Sequence, residues 1–461
     1  MDDRGPTAGT DTRQQRTRRR LSRAVREFAA VPLLVISAFL GLAMVSIVAD
    51  QAHVAGLDAV RSAIQKVIGK QAATATLQGI ATGLVTVTSI TFSVLLLAVQ
   101  QTASSLSPVV FDQFVRRRGN QVFLGFFVGL ALFAYVVMAA VQDQTPPVLG
   151  AAIATVLTVV ALACLLVLVY TTIDQMRPAN VLRQIHDRAL QARRREWDLI
   201  RRTRRRERSR DPVSATYHCE TTGYVSGIDL QRLARALERI PDAEIWLHAT
   251  QGRHVAYGDV VATVRDDDES DARWLADEVR AAIQIGPEPD LDADASTGIN
   301  EIGNIAWTSA SSSKQNPEVA RQALDALRDL AARWIDEDPS GAHGGSAEDG
   351  RAAGDGCEAG GDGHRAAEDV LPVVYVDDDL DRILEVLYSI LVAATESRQH
   401  VTAARVLETY ETLLARATGR VAQRLGHDVV SARALLDEMP PSSRLRSARL
   451  RVERSAGLQP A

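Results

Sequence analysis

The side chains whose spacing suggests chemistry lie in two places. Thr82, Thr86, Ser89, Ser93 and Gln100 recur at close to a helical period inside an otherwise apolar stretch, so they fall in one stripe down a helix. Such hydroxyls either bond across a helix interface or to their own backbone, or they line a polar pathway when several subunits surround it. The second place is acidic. Asp290, Asp292, Asp294 and Glu301 occupy positions 1, 3, 5 and 12 of a calcium-loop template, which offers oxygen ligands to a hard cation. The glycine of that template is replaced by Ala295 and its apolar position by Thr297, while Pro287 and Pro289 spoil an entering helix. A solvated acidic loop is therefore the simpler expectation there, as it is for Asp266-Asp267-Asp268-Glu269.

Other chemistry is thinly signalled. No Walker loop and no GxGxxG occurs, which counts against nucleotide hydrolysis. His248, His254, His364 and His400 are scattered, and they form neither a metal triad nor a Ser/His/Asp set. The three cysteines, Cys164, Cys219 and Cys357, fit no disulfide framework and no CxxC zinc site. The expectation is a protein that is not an enzyme and holds no metal or cofactor.

The elements that must carry these residues are set by hydropathy. Four runs, Phe28–Ala49, Leu77–Val99, Val122–Val141 and Val148–Tyr170, are free of Asp, Glu, Lys, Arg and His. Each has the ~20 residues that a ~30 Å hydrocarbon core requires. Their lack of ionisable groups argues against a proton-coupled pump, which normally needs a carboxylate or histidine relay. Gly79 and Gly83 in the second run, and Gly125 and Gly129 in the third, are small-xxx-small pairs suited to close helix approach.

Charge orients these spans. Residues 1–210 hold 27 Lys+Arg against 13 Asp+Glu, a net of +14, whereas residues 211–461 hold 25 against 44, a net of -19. Residues 1–27 carry eight arginines, Arg116, Arg117 and Arg118 precede the third span, and Arg177 to Arg210 follow the fourth. By the positive-inside rule these three segments face the cytoplasm, so both termini do as well. The 50–76 segment and the turn Gln142–Pro147 fall outside. The Arg-rich flanks would meet anionic lipid headgroups, and no nucleic acid is expected.

Beyond the spans, Leu230–Ile240 reads as a helix, and Glu244–Ala249 and Val260–Val264 as paired strands with turns at Gly252 and Gly258. Asn316 and Pro317 suit the start of a helix over Glu318–Ile335. Ser340–Glu368 lacks apolar periodicity and reads as a disordered linker. Leu380 to Leu391, Val401–Ala415 and Val421–Leu436 repeat at helical spacing, as a small bundle suited to oligomerisation or a partner.

Several separated motifs also carry a resemblance. Thr91-Phe92-Ser93, Gln100-Gln101, Ser105, Ser107-Pro108, Phe114, Arg118-Gly119-Asn120-Gln121, Leu124-Gly125-Phe126 and Tyr135 recur in order, followed by Thr222-Gly223-Tyr224-Val225. Together they resemble the bacterial inner-membrane family known as domain of unknown function 2254, over about residues 25–340. The resemblance implies a four-span N-terminal half and a cytosolic C-terminal half, and it brings no activity. Val109 stands where the family commonly has an arginine. The resemblance also implies a polar pocket, onto which Asp294, Ser311 and Asn316 map. Pro289, Asp290, Ala293, Ser312, Ser313 and Lys314 depart from the family's residues, so that pocket would be altered or lost here.

The sequence therefore predicts four α-helical transmembrane spans, a mixed α/β cytosolic domain and a C-terminal helical bundle. The segments are a basic tail 1–27, a transmembrane domain 28–175, a basic juxtamembrane segment 176–210, the α/β domain 211–339, the linker 340–369 and the helical domain 370–461. Two functions fit a homo-oligomer in the bacterial inner membrane. One is a passive ion or small-solute channel regulated from the cytosol; the other is a non-conducting sensor or scaffold.

Overall fold

The computed structural model describes residues 8–51, 70–105, 118–140, 148–175, 177–206, 212–311, 317–337, 370–440 and 442–458. It divides into two compact units, Met1–Arg177 and Pro178–Ala461. The expected linker 340–369 lies outside the described residues.

In the N-terminal unit the four runs become helices α1 (Ala8–Gln51), α2 (Lys70–Ser105), α3 (Arg118–Ala139) and α4 (Val148–Gln175). Their apolar windows are Ala29–Asp50, Thr74–Ser93, Gln121–Ala139 and Val148–Thr171, each long enough to cross a bilayer. The third window is 44% buried against 17% for each of the others, so α3 is the central helix. Its glycines explain how. A Cβ at Gly125 would lie 2.9 Å from the Pro32 Cα of α1, and one at Gly129 would lie 2.7 Å from the Phe39 ring. Only glycine permits that approach of α3 to α1, and Phe39 and Phe126 meet edge to face across it. Gly79 and Gly83 of α2 have nothing within 4 Å of a built Cβ.

Asp50 has a role that its sequence position did not signal. It ends the apolar window of α1 and is 5% exposed. Its carboxylate accepts from the backbone N–H groups of Leu149 and Gly150, both at 3.2 Å. Those are orphan donors at the first turn of α4, so α1 supplies the cap that α4 lacks in its own sequence.

The C-terminal unit begins with α5 (Pro178–Arg202). The sequence marks this stretch only as a basic segment, but it is amphipathic, and Val181, Leu182, Ile185, Ala189, Ala192 and Leu199 are buried. Then follow β1 (Ala215–His218), β2 (Gly223–Ile228), α6 (Leu230–Arg239), β3 (Glu244–Leu247), β4 (His254–Val255), β5 (Val260–Arg265), α7 (Glu269–Ala282) and β6 (Ile283–Gly286). Next come α8 (Ala295–Ala310), α9 (Pro317–Glu337), β7 (Val373–Tyr375), α10 (Asp379–Glu396), α11 (His400–Leu414), α12 (Gly419–Asp437) and α13 (Ser443–Ser455).

Two sheets form, ordered β1-β5-β3-β7 and β4-β2-β6. Gly252 and Gly258 take positive φ at the expected turns, 75° and 87°. Leu233, Leu237, Leu275 and Val279 of α6 and α7 pack in one core with Ile245, Leu247 and Val264 of the first sheet.

The boundary drawn at 370 does not divide this unit. β7 pairs in parallel with β3, Ile245 opposite Val373 and Leu247 opposite Tyr375, so the segment after 369 completes the α/β sheet. A three-residue strand is too short to show a period of two, which is why it escapes a sequence reading. Helix α8 is enclosed on most of its faces, with polar Ser296, Thr297, Glu301 and Ser309 buried alongside Ile299, Ile302 and Ile305. Gly298 sets it against Ala189 of α5 and Gly303 against Val386 of α10. The Arg-rich α13, whose buried residues are Leu445, Ala448, Val452 and Glu453, was likewise not expected.

Candidate functional site

The C-terminal unit encloses a cluster of charges built from four elements. Arg193 lies on α5, with its side chain 7% exposed. Its Nη2 donates to Asp377 Oδ2 at 2.7 Å, its Nη1 to Asp379 Oδ2 at 3.2 Å and its Nε to Glu337 Oε2 at 3.5 Å. The guanidinium also sits 5.4 Å from the ring centre of Trp334 on α9. Asp377 lies between β7 and α10, and Asp379 is the first residue of α10, where the helix N-terminus favours negative charge.

One turn further along α5, Glu196 is 5% exposed. Burial pushes its carboxyl well above the usual range, and the neighbouring charges of Asp379 and Asp294 push the same way, against the pull of Arg193. Asp379 is raised for the same first reason, then by Asp377. Burial also raises Asp294, although Thr297 and Ser296 donate to it. Tyr375 is held neutral by burial and by Glu196, and its hydroxyl accepts from the Gln251 N–H at 3.3 Å. Burial opposes the charge of Arg193, but Asp377 and Asp379 more than offset it. Four carboxyl groups thus surround one cation, an arrangement relieved most simply by keeping protons on some of them.

The expected site residues are placed as follows. Asp294 is the N-cap of α8, accepting from Ser296 N–H at 2.8 Å, Thr297 N–H at 3.2 Å and the Thr297 hydroxyl. Gly252 closes over it, and a Cβ there would fall 2.1 Å from Asp294 Oδ2. Ser311 is the C-cap of the same helix, at its other end, so Asp294 and Ser311 do not share a pocket. A helix of 16 residues separates them by ~24 Å. Asn316 lies outside the described residues.

The calcium template is not formed. Helix α8 begins at Ala295 and takes Glu301 into its buried face, while Asp292 pairs with Arg188 and accepts, through its carbonyl, from Arg195. Among the described residues no group of three or more His, Cys, Asp or Glu side chains is arranged to hold a metal ion.

In the N-terminal unit Thr82, Thr86, Ser89 and Ser93 are exposed along α2 of the single chain. Thr86 donates to the Thr82 carbonyl at 3.0 Å and Ser93 to that of Ser89 at 2.9 Å, so these hydroxyls are satisfied by their own helix. Gln100 belongs to α2, but its side chain lies outside the description. Arg118 opens α3, while Arg116 and Arg117 lie outside the described residues.

A cleft of ≈ 510 Å³ adjoins the cluster, with Arg193 and Asp377 on the wall between them. Trp197, Arg201, Arg205, Trp334 and Arg420 line the rest of it, among others. The sequence signal for this site was weak. Arg193 and Glu196 sit in a basic run, yet Ala192, Glu196 and Leu199 continue the buried face of α5, and that periodicity is the trace by which Glu196 could have been found.

Four apolar helices joined to a mixed α/β unit define a multi-pass helical membrane protein. The sequence model of the predicted membrane proteins termed domain of unknown function 2254 matches residues 26–351, and the chain belongs to that family. No curated protein and no solved structure matches it. The match includes Arg193, Glu196 and Asp294 but ends before Asp377 and Asp379, so the cluster is completed from outside it.

Proposed function

We propose that the protein is a sensor anchored in the bacterial inner membrane, with both termini in the cytoplasm and the signal received by the C-terminal unit. The buried Arg193 cluster beside an open cleft carries this reading. A charged network at the wall of a cavity can rearrange when a ligand or proton changes its balance of charge. The apolar windows of the membrane helices, free of Asp, Glu, Lys, Arg and His apart from the capping Asp50, serve as the anchor and as the surface through which copies associate. No reaction is assigned to the chain.

Channel function remains the second reading, favoured by one observation. The hydroxyl stripe and the open Gly79/Gly83 face both lie on α2, exposed in the single chain. In an oligomer this helix could line a shared axis. Flux of sodium, potassium, magnesium and chloride into proteoliposomes separates the two readings. The sensor reading predicts no flux above protein-free vesicles. Flux abolished by Ser89→Leu and Ser93→Leu, with oligomer size unchanged, would establish the channel instead.

A further inference from the structure

The cleft has a chemical character of its own. Its volume, ≈ 510 Å³, lies within the roughly 300–1,000 Å³ typical of small-molecule sites. On its wall Trp197 is 36% exposed, a large flat surface that costs little entropy to hold in place. The inner wall is Trp334, only 2% exposed, whose indole N–H is buried with no hydrogen-bond partner among the described residues. A buried donor without an acceptor is costly.

Arginines flank the opening. Arg201 is exposed at the end of α5 and forms no ion pair among the described residues. Arg420 reaches Asp381 at 2.6 Å, but with side chains 79% and 45% exposed that pair is a weak surface contact. Its guanidinium can exchange this carboxylate for a better-placed anion, and the planar fork of arginine suits phosphate oxygens. The carboxylates of the cleft are already engaged, Asp377 and Glu337 by Arg193 and Asp381 by Arg420.

We propose that this cleft binds a nucleotide, its base stacked on Trp197 and its phosphates held by Arg201 and Arg420. An aromatic face and guanidinium groups within one cavity match a ligand that is planar at one end and polyanionic at the other. A phospholipid headgroup shares the phosphate but offers no ring to stack. Because no phosphate-binding glycine loop is present, recognition here is side-chain based and no hydrolysis is implied. The assignment rests on reading the C-terminal unit as the sensing part. Its test is independent of ion flux, so either claim can fail alone.

The experiment is calorimetric titration of the full-length protein in nanodiscs with ATP, GTP, pyrophosphate and dioctanoyl phosphatidic acid. ATP or GTP should bind, and pyrophosphate at least about tenfold more weakly, since stacking on an aromatic side chain contributes on that scale. Trp197→Ala and Arg420→Ala should each weaken nucleotide binding about tenfold. Arg239→Ala should leave it unchanged, because Arg239 lies over Trp274, which is not among the residues lining the cleft. Both test positions have exposed side chains, and an unchanged melting temperature will show that the variants fold. The proposal is overturned by an absence of nucleotide binding at millimolar concentration. Binding indifferent to both substitutions, or phosphatidic acid binding more tightly than either nucleotide, overturns it equally.

Discussion

The two units solve the same problem, a polar group away from water, in opposite ways. In the membrane unit hydroxyl after hydroxyl turns to the backbone of its own helix. Thr86, Thr88, Ser93, Thr155 and Thr158 donate to the carbonyl four residues back on their own helix. Asp50, a buried carboxylate there, likewise spends both oxygens on backbone N–H groups, though of another helix. In the C-terminal unit the buried charges turn to one another across long sequence separations, Arg193 to Asp377 and Asp379 above all. Local satisfaction gives a helix that is stable and indifferent to conditions. Mutual satisfaction gives a network whose members titrate and depend on each other, which is the property a sensor needs.

The largest expected effect removes the single cation from the network. Arg193→Met leaves Asp377, Asp379 and Glu196 without their partner and should destabilise the C-terminal unit by about 3–5 kcal/mol. Chemical denaturation of the full-length protein in detergent would measure it, and the membrane helicity should survive to higher denaturant. An intermediate effect separates the two glycine pairs of the membrane unit. Gly125→Ala drives a methyl into the Pro32 backbone and should cost about 1–3 kcal/mol. Gly83→Ala meets nothing in the single chain and should leave its melting temperature unchanged. A shift in oligomer size for Gly83→Ala alone, seen by light scattering, would identify α2 as the contact between copies. The smallest effect is expected from Ser93→Ala, within about 0.5 kcal/mol, because its hydroxyl only duplicates a bond to an already paired carbonyl.

These contrasts also explain what could be read from the chain. The spans were legible because their signal, about 20 apolar residues, is local and long. The turns at Gly252 and Gly258 were legible because left-handed backbone favours glycine there. Asp294 was singled out on a resemblance and proves to be a buried cap, but grouping it with Ser311 failed because one helix holds them apart. The charge cluster was not legible. Arg193 and Asp379 are 186 positions apart, and nothing in the spacing of one announces the other. Asp50 escaped for the same reason, since its partners lie 99 and 100 residues away.

Buried carboxyls on and around α5 bind protons more tightly in the folded protein than in the unfolded chain. Glu196, Asp379 and Asp294 are all raised, so the folded protein binds more protons than the unfolded chain above the ordinary carboxylate range. Stability from these groups is then fully present below that range and is lost as pH rises through their folded values. Asp329 acts oppositely. Burial would raise it, but Arg333 and His186 bring it below its usual value, so its contribution is lost as pH falls. The direct measurement is the unfolding midpoint of the C-terminal unit across the weakly acidic to neutral range, in wild type and Glu196→Gln. The wild-type midpoint should fall as pH rises. The substitution should flatten this slope and raise the midpoint at neutral pH. A midpoint that rises with pH, or parallel curves for the two proteins, would contradict this tighter proton binding.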